Sequence, residues 1–134
     1  MSRFMVNLTA INPKEEHRCT PPVEVMVDTG TRRRGPRGPR FPSGSELSWL
    51  PKQLLLDAGI ISRGKKCFST ATKQIVERDF GYAILKAEGY TTNDEIVFAE
   101  DSDMLLLGVR TLGGFSVMVD NIGHRFVATT TLVV

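Results

Sequence analysis

The sequence predicts an all-β domain. Three observations carry that reading: short apolar runs that alternate or are rich in β-branched residues, turn-forming clusters between them, and only two stretches of helical character. Phe4 to Ile11 is a mixed alternating run, ended by Asn12-Pro13. After Pro21-Pro22, Val23 to Val27 alternates around Glu24. Pro51 to Ala58 reads as a short helix, because Pro51 suits a first helical position and Gly59 a C-terminal stop. Lys73 to Glu77, Gly81 to Ala87 and Glu95 to Ala99 follow as strands, with turns expected at Gly89, Thr92-Asn93-Asp94 and Asp101-Ser102-Asp103. A second short helix is expected near Val109 to Leu112, then a hairpin from Val117 to Val127 turning at Asn121-Ile122-Gly123. Short strands at this spacing suggest a barrel or a sandwich.

At 134 residues, with 41% hydrophobic and 24% charged residues, the chain has the composition of one globular domain, 1–134. A domain of this size buries enough surface to need neither disulfides nor a structural metal. Cys19 and Cys67 form no CxxC pair and no metal-ligand spacing with His17 or His124, so a reduced, cytoplasmic setting is expected. The first twenty residues lack the apolar core of a secretory signal. Met104 to Val109, the most apolar run, falls far short of the ~20 residues that span a bilayer. No membrane partner is expected.

The positive charge is concentrated in one place. Thr31 to Gly44 reads TRRRGPRGPRFPSG and holds five of the 17 Lys and Arg with no acid; the remaining 12 face 15 Asp and Glu, a formal −3. The basic pI of about 8.7 therefore belongs to one segment. A nucleic-acid-binding domain spreads its cations over a face that tracks phosphates, so this distribution argues against such a partner and for an exposed, basic loop inserted at 31–44. A β-barrel binding nucleic acid through that loop is the weakest of three functional readings; its signature would be strong salt dependence.

A near-repeat carries the chemistry. Val25-Met26-Val27-Asp28-Thr29-Gly30 and Val117-Met118-Val119-Asp120-Asn121-Ile122-Gly123 are both apolar strands that end in Asp and turn at Gly. For Asp120, with Asn121 and Gly123 beside it, an ordinary hairpin turn is the expected role. Asp28 keeps different company, because Leu106-Leu107-Gly108 supplies a second apolar strand ending in Gly before a short helix.

In this pairing the chain resembles the retropepsin-like aspartic proteases, the single-lobe relatives of retroviral proteases. Asp28-Thr29-Gly30 matches the family's first element and Leu106-Leu107-Gly108 its second, the two meeting in a psi-shaped crossing. Trp49-Leu50-Pro51 matches its Trp-apolar-Pro step into a helix, Thr70 to Glu77 returning through Gly81 to Ala87 its flap hairpin, and Val117 to Val127 its closing strands. The resemblance runs in order from Phe4 to Val127. It departs from the family at the 31–44 insertion and at the flap tip, where Ala71-Thr72-Lys73 lacks the usual Gly.

The resemblance implies a closed barrel with one or two short helices and a flap, and an aspartic endopeptidase that requires no metal or organic cofactor. Two carboxylates sharing a proton are needed and one chain offers a single such turn, so a homodimer with one Asp28 from each copy is implied. Thr29 would hold the two turns together, and Gly30 would present its carbonyl to the substrate. Ala71, Thr72 and Lys73 would pair with a peptide or protein substrate as flap residues, and Leu106, Leu107 and Gly108 would support the site. A second reading keeps the fold and removes catalysis, leaving a peptide-binding or dimerisation domain.

Overall fold

The computed structural model describes residues 4–27, 46–70 and 72–129. Asp28, Thr29, Gly30, the 31–44 insertion and Ala71 lie outside them.

The described residues are mostly strand. In chain order the elements are β1 (Met5–Ile11), β2 (Val23–Val27), β3 (Ser48–Pro51), α1 (Lys52–Asp57), β4 (Gly64–Ser69), β5 (Ile75–Ala87), β6 (Tyr90–Ala99), β7 (Leu106–Leu107), α2 (Val109–Phe115), β8 (Val117–Asp120) and β9 (Arg125–Ala128). Seven strands form one sheet in the order β1-β2-β7-β3-β6-β5-β4, and β1 also pairs with β5, so six of them close into a ring. β8 and β9 form a separate hairpin.

Alternation explains the ring's interior. Val6, Leu8 and Ala10 of β1, Val25 and Val27 of β2, and Ala83, Leu85 and Ala87 of β5 are buried at every second position. β3 and β6 are apolar on both faces: Leu50, Ile96 and Phe98 join the inner core, while Trp49, Val97 and Ala99 pack outward with Leu47 and Phe68. A strand covered on both sides needs an unbroken apolar run, which Ile96-Val97-Phe98-Ala99 supplies. The Trp49 and Phe68 rings, 5.3 Å apart, fasten β4 over that outer face. α1 is closed at its C-terminus by the 12–18 loop, where Asn12 Nδ2 donates to the Ala58 carbonyl at 3.0 Å and Arg18 Nη2 to the Asp57 carbonyl at 3.0 Å.

Three expectations need correction. Lys73 to Glu77 and Gly81 to Ala87 are not two strands, because β5 runs unbroken from Ile75, with Gly81 paired opposite Ile96. The hairpin in the region matched to a flap is accordingly β4 with β5, registered Ser69 with Ile75 through Gly64 with Phe80, and not the segment returning through Gly81. Thr92-Asn93-Asp94 is no turn. The chain reverses at Glu88-Gly89, both at positive φ (52° and 83°) as a two-residue hairpin loop requires, so Tyr90 already opens β6 and Thr92 to Asp94 pair with Leu85 to Ala83. Both helices stand near their expected positions, α2 extending to Phe115.

Candidate functional site

β2 reaches Val27, one peptide bond before Asp28, as a buried strand parallel to β7, with Met26 opposite Leu106 and Val27 opposite Leu107. On its other side β7 pairs antiparallel with β3, Trp49 opposite Leu106. β7 is thus held between two strands of opposite direction, and the two sequence elements singled out above, as far as the described residues extend, lie side by side. Leu107 is wholly buried and Leu106 partly so.

Gly108 closes this arrangement. A Cβ there would run into the carbonyl group of Leu47, with the Leu47 oxygen at 2.5 Å and the Glu46 oxygen at 2.7 Å. The backbone just before β3 presses on Gly108, and only a residue without a side chain fits. The same contact is stitched by hydrogen bonds: Arg110 N–H donates to the Glu46 carbonyl at 3.0 Å, and Gly108 N–H donates to Ser48 Oγ at 3.0 Å.

Ser48 leads into a buried polar chain that the sequence reading missed. Ser48 Oγ lies 2.6 Å from Thr111 Oγ1, and Thr111 Oγ1 donates to Asp94 Oδ2 at 3.0 Å. Ser48 and Thr111 are completely buried. Asp94 Oδ1 accepts from the Glu95 amide at 2.7 Å and lies 3.5 Å from Arg110 Nη2. Arg110 Nη1 reaches Glu95 Oε2 at 2.9 Å, and Lys66 Nζ reaches Glu95 Oε1 at 2.6 Å. Burial alone would raise the Glu95 pKa, but the hydrogen bond and charge of Lys66, with Arg110, outweigh it and hold the carboxyl below its usual value. A cleft of about 430 Å³, lined by Pro13, Tyr82, Asn93, Asp94, Glu95 and Arg110 among others, opens over this group. The only sequence signals were a Ser inside an apolar strand and a Thr three residues beyond a strand-ending Gly.

Thr72 and Lys73 fall in the β4–β5 turn. Thr70 Oγ1 accepts from the Gln74 amide at 3.2 Å and lies 3.0 Å from Thr72 Oγ1, and the Lys73 amide donates to the Thr70 carbonyl at 2.9 Å. Lys73 itself adopts φ 65°, a left-handed conformation that glycine takes more readily.

Asp120 is a turn residue. Its Oδ1 accepts the amides of Ile122 (3.0 Å) and Gly123 (2.9 Å), and Arg125 Nε lies 3.2 Å from Oδ2. The Gly123 and Ile122 amides, followed by Arg125, hold its carboxyl below the ordinary range. Among the described residues no group of three or more His, Cys, Asp and Glu is arranged to hold a metal, and no helix is long and apolar enough to cross a membrane. Compared with known proteins, the chain matches no family model, no curated protein and no solved structure.

Proposed function

We propose that the chain is a retropepsin-like aspartic endopeptidase: a closed barrel of that type, working in the cytoplasm as a homodimer. The observation that carries this reading is the strand order β2-β7-β3, in which the strand running into Asp28-Thr29-Gly30 lies parallel to Leu106-Leu107 with Gly108 sealed behind them. Two copies bring their Asp28 carboxyls together, and like charges that close share one proton. One Asp28 takes a proton from a bound water, the water oxygen attacks the scissile carbonyl carbon, and the protonated mate donates to the carbonyl oxygen. Collapse of the tetrahedral intermediate breaks the C–N bond, with a proton passing to the leaving nitrogen. Thr29 holds the two turns in one plane, and the Gly30 carbonyl together with Ala71, Thr72 and Lys73 aligns an extended peptide.

The test is cleavage of an unfolded protein between about pH 4 and 6, where such a pair carries one proton. Asp28→Asn is expected to abolish it, and specific activity is expected to fall on dilution as dimers dissociate. Unchanged cleavage by Asp28→Asn overturns the reading. The second reading, peptide binding or dimerisation without turnover, draws support from the tip: Lys73 occupies a glycine conformation in a turn already tied by Thr70. Saturable peptide binding by a dimer that cleaves nothing would select it.

A further inference from the structure

The buried chain from Gly108 to Asp94 has a fixed direction. A peptide N–H can only donate, so Ser48 Oγ accepts from Gly108. An ionised carboxylate can only accept, so Thr111 donates its hydroxyl proton to Asp94. The hydroxyl proton of Ser48 then points to Thr111 Oγ1, and every proton in the chain runs toward the carboxylate. Without that acceptor at its end the Thr111 hydroxyl could turn back toward Ser48, whose Oγ would then accept from Thr111 as well as from Gly108, and the direction of the chain would no longer be fixed. The participants come from four places: the residue capping α2, the start of β3, the first turn of α2 and the middle of β6.

We propose that Asp94 is a positioning residue for the Gly108 turn, acting through Thr111 and Ser48 to hold the backbone that supports the strand entering Asp28. Its consequence for catalysis rests on the peptidase reading; its consequence for Gly108 does not. Arg110 lies beside Asp94 and a cleft opens over this end of the chain, whereas Ser48 and Thr111 are sealed, so the carboxylate is the end of the relay nearest to polar surroundings.

Amide hydrogen exchange read by NMR tests the relay directly, with the Leu85 amide as the internal reference for global opening. Thr111→Val keeps the shape and removes the hydroxyl; it is expected to speed Gly108 exchange at least about tenfold relative to Leu85, the factor that matches loss of one buried hydrogen bond. Ser48→Ala should do the same, and covers the case in which the valine variant fails to fold. Thr111→Ser should restore the wild-type ratio. Asp94→Asn, which keeps an accepting oxygen, should change the ratio less than Asp94→Ala. In a cleavage assay the Thr111→Val protein should lose about tenfold in kcat with KM unchanged, and Thr111→Ser should recover it. If neither Thr111→Val nor Ser48→Ala moves the exchange ratio, the relay is overturned, even where Asp28→Asn abolishes cleavage. If the wild-type chain cleaves nothing, the peptidase reading fails while the exchange ratio still decides the relay.

Discussion

The turn at Gly108 and the turn at Asp120 look alike in sequence and differ in almost every physical respect. Each follows an apolar strand and contains a glycine. At Gly108 the neighbouring backbone of Glu46 and Leu47 fills the space a side chain would need, and the polar groups are satisfied by hydroxyls with no solvent exposure. At Asp120 the carboxylate satisfies its own turn from the surface, and Ile122 at the tip is 96% exposed. A carboxylate that caps its own hairpin is a local device that removes two unpaired amides. One that ends a relay between β3, β6 and α2 fixes how distant parts of the chain meet, and it is there that sequence-distant partners must be sought.

Gly108→Ala should break the contrast most severely, since the added methyl meets backbone that cannot rotate away. We expect a loss of about 3 kcal/mol or more by urea denaturation. A loss below 1 kcal/mol would mean that the Glu46–Leu47 segment yields easily.

Acid should separate the carboxylates next. Arg78 Nε and Nη2 grip Asp103 Oδ2 and Oδ1 at 2.6 and 2.9 Å, and this pairing, against the opposing effect of burial, holds the Asp103 carboxyl below its usual value, as Lys66 and Arg110 do for Glu95. A carboxyl whose folded pKa is depressed adds stability above its unfolded value, and that stability is lost as pH falls through the folded value. The urea midpoint is therefore expected to decline below about pH 4.5. Arg78→Gln should cost about 2 kcal/mol at pH 7 and flatten the decline. An unaltered acid slope in that variant would refute the assignment to Asp103.

Asp120→Asn should have the smallest effect. The amides of Ile122 and Gly123 are expected to lose exchange protection while core amides and any peptidase activity stay as they were. Loss of cleavage equal to that of Asp28→Asn, at unchanged stability, would make Asp120 an intrachain partner and remove the need for a second copy.

What could be read from sequence follows the same division. β1 and β2 show plain alternation, the helix entry at Pro51 carries its own punctuation, and the β8–β9 turn has its Asp and Gly, so all were legible. β4 was missed because Gly-Lys-Lys-Cys-Phe-Ser holds one apolar anchor, Phe68, and a strand that needs to bury a single ring leaves little pattern. Thr92-Asn93-Asp94 was misread because polar residues in mid-strand resemble a turn; here Thr92 packs against Gly114 and Asp94 takes the Thr111 proton, both contacts with a helix about twenty residues away. The Leu-Leu-Gly element was legible as text, and its parallel neighbour is β2. The hydroxyls behind it were not, since Ser and Thr carry no sign of burial until the fold encloses them.

The ring of strands also sets an order of events. β5 and β6 are joined by two residues and pair from Ala87 and Tyr90 outward to Phe80 and Val97, so this hairpin can form with little loop-closure entropy. The pairings that complete the circle, Thr9 with Lys86 and Val27 with Leu107, join segments far apart in the chain and become favourable only once the intervening strands are in place. Folding should then nucleate on β5–β6 and finish at β7, with φ-values high at Leu85 and Ile96 and low at Leu107. The last seam to form in folding would be the first to part under strain, and it is the seam between β7 and β2, the strand that Asp28 follows in the sequence.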